Sequence, residues 1–123
     1  MRYDPDVAPD PESWLALDES IRQELARKAH DPAPDWHPKA TAKHAHVIYH
    51  VMVENQVAAN DPPEVAAALA RLTEEGLDRH DALHAVANIL AEETWSMLKE
   101  KRSFDTDAYQ ARLEKLKASD WRR

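Results

Sequence analysis

The fold is decided by residues 40–64, ATAKHAHVIYHVMVENQVAANDPPE, in which a long helical stretch runs directly into a break. Good helix formers dominate before the break, and no strict alternation of apolar and polar residues indicates a strand. Apolar side chains fall on one face at Ile48 and Met52 and on the opposite face at Val53 and Val57. A helix that is apolar all round is usually buried on more than one side, so we predict this position for it.

The break after this helix also begins the next one. Asp61 is the predicted N-cap, Pro62 the first helical residue, and Glu64 the residue that completes a capping box. Gly76, the single glycine of the chain, is the predicted left-handed residue that ends this helix. Asp78 is the predicted cap of the helix that follows, which continues to about residue 101.

Helices are also predicted at the two ends of the chain. Upstream, Asp10 and Pro11 begin a helix that runs to about His30, with Trp14 and Ile21 on its inward stripe. Downstream, a break at residues 103–106 precedes a last helix. The sequence therefore predicts an all-α protein, a single compact bundle of about five helices.

We divide this single domain into two parts. Residues 1–40 form an acidic, proline-rich N-terminal helix and linker, and residues 41–123 form a histidine-containing helical body. Three prolines in residues 31–38 separate the two parts, because proline disfavours a continuous helix.

Composition excludes several kinds of site. One glycine among 123 residues is too few for a phosphate-binding P-loop or a dinucleotide fingerprint. No cysteine means no disulfide, no thiolate zinc site and no cysteine nucleophile. Seven histidines remain, so any metal would be bound by imidazole and carboxylate groups.

The net charge of −7 bears on partners. Acidity is concentrated at the amino terminus, where residues 1–35 hold nine acidic and four basic side chains. Such a charge disfavours binding to nucleic acid, so no nucleic-acid partner is expected. The chain also has no apolar stretch long enough for a membrane span or a signal peptide, so we expect a soluble, cytoplasmic protein.

Histidines repeat one spacing on the two most strongly patterned helices. His46, His50 and Glu54 are four residues apart, as are His80 and His84, and this spacing places side chains on one helix face. Two such imidazoles can bind one divalent ion, and a facing helix can complete the coordination. The predicted ligands of zinc or another divalent metal are His50, Glu54, His80 and His84, with His46, Glu92 and Glu93 as substitutes.

Polar neighbours of these residues have predicted supporting roles. Asn55 and Gln56 lie beside valines and would either cap a neighbouring loop or orient the ligands. Asn88, which continues the second histidine row, and Asp81 are also predicted to support the ligands. Asp81 has a second explanation as a capping carboxylate in the first turn of its helix.

A metal-free alternative stays open. Buried imidazoles are often satisfied by hydrogen bonds alone, so these histidines would then be structural. The protein would be an interaction module, a homodimer or the binder of another protein, with exposed tryptophans at the contact.

The second histidine pair, His80 and His84, partly matches two enzyme signatures. His80-Asp-Ala-Leu-His84 has the histidine spacing of the zincin proteases, but Asp81 replaces the glutamate that acts as their general base. The dyad His80-Asp81 is also similar to that of helical metal-dependent phosphohydrolases of the HD type. Neither signature has further support, and no reaction is predicted.

Several motifs together resemble a family of small bacterial proteins described only as a domain of unknown function. They are His50-Val-Met-Val-Glu-Asn-Gln56, Asp61-Pro-Pro63, Leu72 to Gly76, Arg79-His-Asp-Ala-Leu-His84 and Phe104 to Leu116. The resemblance covers about residues 44–116, and Asp81 stands where the family pattern has glutamate. It implies a helical fold and singles out the four predicted ligands as motif positions, but it implies no activity.

Overall fold

A computed structural model of the chain describes residues 2–29 and 40–121, and in the long central helix it describes side chains from Val47 onward. The predicted linker, with Trp36 and two of the histidines, lies outside these residues. The described part is helical and contains no strand. Its helices are α1 (Pro11–Leu15), α2 (Glu19–Ala29), α3 (Ala40–Ala59), α4 (Pro63–Glu74), α5 (Arg79–Glu100), α6 (Thr106–Lys115) and α7 (Ala118–Trp121). The all-α prediction is confirmed, and the five longer helices match the predicted number.

The central helix is α3, which packs against α1, α2, α4 and α5. Val47 and Val51 belong to a small core that also contains Trp14. Val53 instead belongs to the main core, with Leu72 of α4 among its members. The two cores explain why apolar residues occur all round α3, and they confirm that this helix is buried on more than one side.

The predicted first helix is divided into α1 and α2. The chain leaves the helix after Leu15, and Arg22 Nη2 donates hydrogen bonds of 2.8 Å to the carbonyls of Leu15 and Leu17. These bonds satisfy carbonyl groups that a continuous helix would have paired internally. Trp14 is fully buried as predicted, whereas Ile21 is 45% exposed, so its predicted inward position is wrong.

Helix α4 begins one residue later than predicted. Pro62, not Asp61, is the N-cap, and no side chain caps this end. Glu64 does not complete a capping box, because the N-cap Pro62 has no N–H to donate to it. The Glu64 carboxylate instead accepts a hydrogen bond of 3.0 Å from Gln110 of α6.

The turn between α4 and α5 agrees with the prediction. Gly76 has a φ of 106°, which favours glycine. Its N–H bonds to the carbonyl of Thr73, and the N–H of Leu77 bonds to that of Leu72, as in a Schellman motif. Asp78 then caps α5 by accepting a hydrogen bond of 2.8 Å from the N–H of Asp81.

The last turns of α5 are more exposed than the turns before them. Leu98 is 62% exposed, and Trp95 one turn earlier is 67% exposed. The buried residues of α5 lie between Ala82 and Glu93, and the two predicted ligands of this helix, His80 and His84, lie in its first two turns. Among the described residues, no helix combines the length and apolar content needed to cross a bilayer.

Candidate metal centre

Two packed helices present the predicted ligands to each other. His50 and Glu54 lie one turn apart on α3, and His80 and His84 lie one turn apart at the start of α5. The Asp78 cap fixes where α5 begins and therefore which way His80 and His84 point. The sequence could give the spacing on each helix, but the packing of α3 on α5 brings the two rows together.

Three imidazoles converge at this contact. The Nε2 atoms of His50 and His84 are 3.0 Å apart. One ring nitrogen from each of His50, His80 and His84 lies within 4.8 Å of the others. His50 is 1% exposed and His84 6%, whereas His80 is half-buried and forms the outer side of the cluster.

The rings are not stacked in parallel. Ring centroids are 4.3 Å apart for His80 and His84 and 5.0 Å apart for His50 and each of the other two. The planes are inclined by 58° to 87°. No two of the three rings therefore meet face to face. The indole of Trp121 lies beside it, with its ring centroid 6.2 Å from that of His84.

Glu54 is hydrogen-bonded to two other residues, Arg79 and Tyr3. Its two oxygens accept hydrogen bonds of 2.8 and 2.7 Å from Nη2 and Nη1 of Arg79. Its Oε2 also accepts a bond of 2.5 Å from the hydroxyl of Tyr3. The carboxylate is 1% exposed. These contacts make Glu54 the counter-ion of Arg79 in this structure, adjacent to the three histidines.

Tyr3 and Arg79 are the two residues of the site that the sequence reasoning missed. Burial, together with the charge and hydrogen bond of Glu54, raises the pKa of the Tyr3 phenol well above its ordinary value. Burial alone would lower the pKa of Arg79, but the hydrogen bonds and charge of Glu54 outweigh burial and raise it. Both groups therefore hold their protons at neutral pH. In the sequence, Arg79 could have been identified because it stands next to His80, whereas no neighbouring residue of Tyr3 indicated a role for it.

The two amides predicted to cap a loop or orient ligands make contacts elsewhere. Asn55 Oδ1 accepts hydrogen bonds from Trp14 Nε1 at 2.9 Å and from Arg22 at 3.1 Å. Asn55 thus supports the break between α1 and α2. Gln56 Oε1 accepts a hydrogen bond of 2.7 Å from the hydroxyl of Tyr109, which joins α3 to α6.

Asp81 lies in the first turn of α5, where its N–H is bound by Asp78. Burial, followed by the charges of Asp78 and Asp6, raises the pKa of Asp81. No contact of its carboxylate with the three imidazoles is among those described.

The substitutes predicted on α5 lie further along the helix. Glu93 Oε2 and Glu92 Oε1 accept hydrogen bonds of 2.9 and 3.0 Å from Arg112 of α6. Glu92 is eight residues beyond His84, a rise of about 12 Å along a helix. Asn88 lines a groove of about 340 Å³ together with Arg112 and Trp121. The remaining substitute, His46, is one turn before His50, and its side chain lies outside the described part.

Comparison with known proteins gives one finding. A family model described as a domain of unknown function, DUF1841, matches residues 15–115. The match includes all three clustered histidines and begins closer to the amino terminus than residue 44, where the resemblance was expected to start. No curated protein and no solved structure matches the chain. Because the family model covers most of the sequence, the chain belongs to the DUF1841 family, whose function is unknown.

Proposed function

We propose that this protein binds one divalent transition metal, with zinc the best fit, through His50, His80 and His84. The observation that carries the proposal is the distance of 3.0 Å between Nε2 of His50 and Nε2 of His84, which lie on different helices. Three nitrogens bound to zinc at 2.1 Å in tetrahedral geometry are about 3.4 Å from one another. The ring nitrogens of the three histidines lie within 4.8 Å of one another, so the value of about 3.4 Å falls inside the observed range.

The type of donor atom bears on which ion fits the site. A neutral imidazole has one donor and one acceptor nitrogen. Without an ion, the two facing Nε2 atoms can share one hydrogen, whereas an ion would be bound by a lone pair from each. Nitrogen ligands with no thiolate suit zinc and neighbouring first-row metals and disfavour magnesium and calcium, which prefer oxygen.

Three protein ligands leave a further coordination position. Structural zinc sites usually have four protein ligands. A site with three protein ligands has an open position, which water or another small ligand fills. The predicted ligand Glu54 is bound to Arg79 and Tyr3, so we assign it a supporting role. His46 stays a prediction as the fourth ligand.

Thermal unfolding tests the proposal. Zinc at about 100 times its dissociation constant stabilises the folded state by about 2.7 kcal/mol, so Tm should rise by roughly 10 °C. A chelator should reverse the shift. In His50→Gln and His84→Gln the shift should disappear, while Tyr109→Phe, which removes a buried hydroxyl in the main core, should retain it. A wild-type Tm that does not respond to zinc or chelator would contradict the proposal.

One observation favours the metal-free alternative. Trp95 and Leu98 lie one turn apart on α5 and are 67% and 62% exposed. A second copy of the chain docked on this pair would make the protein a homodimer. Light scattering of wild type and Trp95→Ser tests the homodimer, since a monomeric wild type would contradict it.

A further inference from the structure

The amino-terminal segment lies across the proposed metal centre. Residues 2–6, which we call the N-terminal strap, contact α3 and α5 at the level of the histidines. The carbonyl of Pro5 accepts a hydrogen bond of 3.0 Å from Arg79, and Asp6 Oδ1 accepts one of 3.2 Å from the N–H of His80. Tyr3 is 6% exposed and inserts between Trp14 and His50. The strap precedes residues 15–115, the part matched by the family model.

Tyr3 links a fixed carboxylate to one of the proposed ligands. Its hydroxyl hydrogen is donated to Oε2 of Glu54, the carboxylate that also accepts two hydrogen bonds from Arg79. The same hydroxyl oxygen lies 3.4 Å from Nδ1 of His50. With its only hydrogen committed, the oxygen can act toward His50 as an acceptor alone. This contact therefore favours a hydrogen on Nδ1 of His50.

The hydrogen on Nδ1 determines what the other nitrogen can do. A neutral imidazole protonated at Nδ1 carries its lone pair at Nε2, and Nε2 of His50 is the atom that faces His84. In metal sites, ligand histidines generally donate the second ring N–H to an oxygen, which fixes both tautomer and ring orientation. Arg79 holds Glu54 by two hydrogen bonds, so the arrangement extends from Arg79 through Glu54 and Tyr3 to His50.

We propose that Tyr3 is a positioning residue of the metal centre, which holds His50 in the tautomer that presents Nε2 to the ion. This inference rests on the proposed function. The N-terminal strap is thereby part of the site although it lies outside the matched region.

The test compares Tyr3→Phe with the matched variant Tyr109→Phe. Each change removes one buried hydroxyl, but the Tyr109 hydroxyl bonds to Gln56 in the main core. Zinc affinity is measured by competition with a chromophoric chelator, and the tautomer of His50 by nitrogen NMR of the imidazole rings. Loss of a hydrogen bond that supports a ligand typically weakens metal binding by about 10- to 100-fold. We expect this loss in Tyr3→Phe, together with loss of the Nδ1–H signal of His50, and neither change in Tyr109→Phe.

The outcomes separate this inference from the proposed function. If wild type binds no zinc, the proposed function fails and the inference fails with it. If wild type binds zinc and Tyr3→Phe binds it equally well, only the inference is overturned. If Tyr3→Phe does not fold, the wild-type spectrum decides, because a hydrogen at Nδ1 of His50 supports the inference and a hydrogen at Nε2 of zinc-free His50 overturns it.

Discussion

Breaking the ion pair between Arg79 and Glu54 should cost an amount that depends on which partner is removed. The Glu54 side chain is 1% exposed and that of Arg79 is 13% exposed. Arg79→Met leaves a buried carboxylate with the Tyr3 hydroxyl as its described donor. Glu54→Gln leaves a guanidinium that still donates to the carbonyl of Pro5 and is nearer to solvent. We therefore expect Arg79→Met to be the more destabilising change.

The magnitude follows from burial. Removing one partner of a buried pair costs about 3–5 kcal/mol, because the remaining charge keeps its desolvation penalty. This range applies to Arg79→Met. Glu54→Gln keeps an oxygen that accepts from Arg79, so its cost should be nearer about 1–3 kcal/mol. The double variant should lose less stability than the sum of the two, since neither charge is then left unpaired.

Urea denaturation of the two single variants and the double variant measures these terms. Arg102→Met is the matched control, because the ion pair of Arg102 with Glu100 joins side chains that are 35% and 60% exposed. It should cost about 1 kcal/mol or less. Equal costs for Arg79→Met and Arg102→Met, or strict additivity in the double variant, would refute the reasoning.

Three further changes have defined outcomes. Gly76→Ala should lower the free energy of unfolding by about 1–2 kcal/mol, because alanine is strained at a φ of 106°, and an unchanged urea midpoint would contradict this. Asp78→Ala removes the cap of α5 and should lower the free energy of unfolding by about 1 kcal/mol in the same assay. It should also weaken zinc binding, because His80 lies in the first turn of this helix. Unaltered stability would show that the cap contributes nothing. Glu93→Gln should leave zinc affinity unchanged in the chelator competition, because Glu93 is bound to Arg112, and a loss of affinity would instead make it a ligand.

Some features governed by local rules were predictable from the sequence, although the cap predicted for α4 at Asp61 was wrong. Gly76 and Asp78 act within one turn of their own positions, so their roles follow from residue type. The burial of α3 on more than one side was also predictable, because its apolar residues are not confined to one face. The break between α1 and α2 was not predictable. It depends on the hydrogen bond from Arg22 to the carbonyl of Leu15 and on the contact of Arg22 with Asn55 of α3.

The candidate site was also predictable only in part from the sequence. Helical spacing identified His50, His80 and His84, since four residues make one turn. It could not identify Tyr3, because its contact with Glu54 spans 51 residues and depends on where the N-terminal strap lies. It also could not decide what Glu54 binds. Arg79 stands beside His80 in sequence, but only the packing of α5 on α3 directs its guanidinium to that carboxylate.

The most direct test of the central claim is the number of zinc ions bound at equilibrium by chelator-treated wild type, measured by dialysis and elemental analysis beside His84→Gln. Three converging imidazoles predict about one equivalent in wild type and a large loss in His84→Gln, since removal of a ligand leaves two. No bound zinc in wild type, or the same amount in His84→Gln, would contradict the assignment of these histidines as a metal centre.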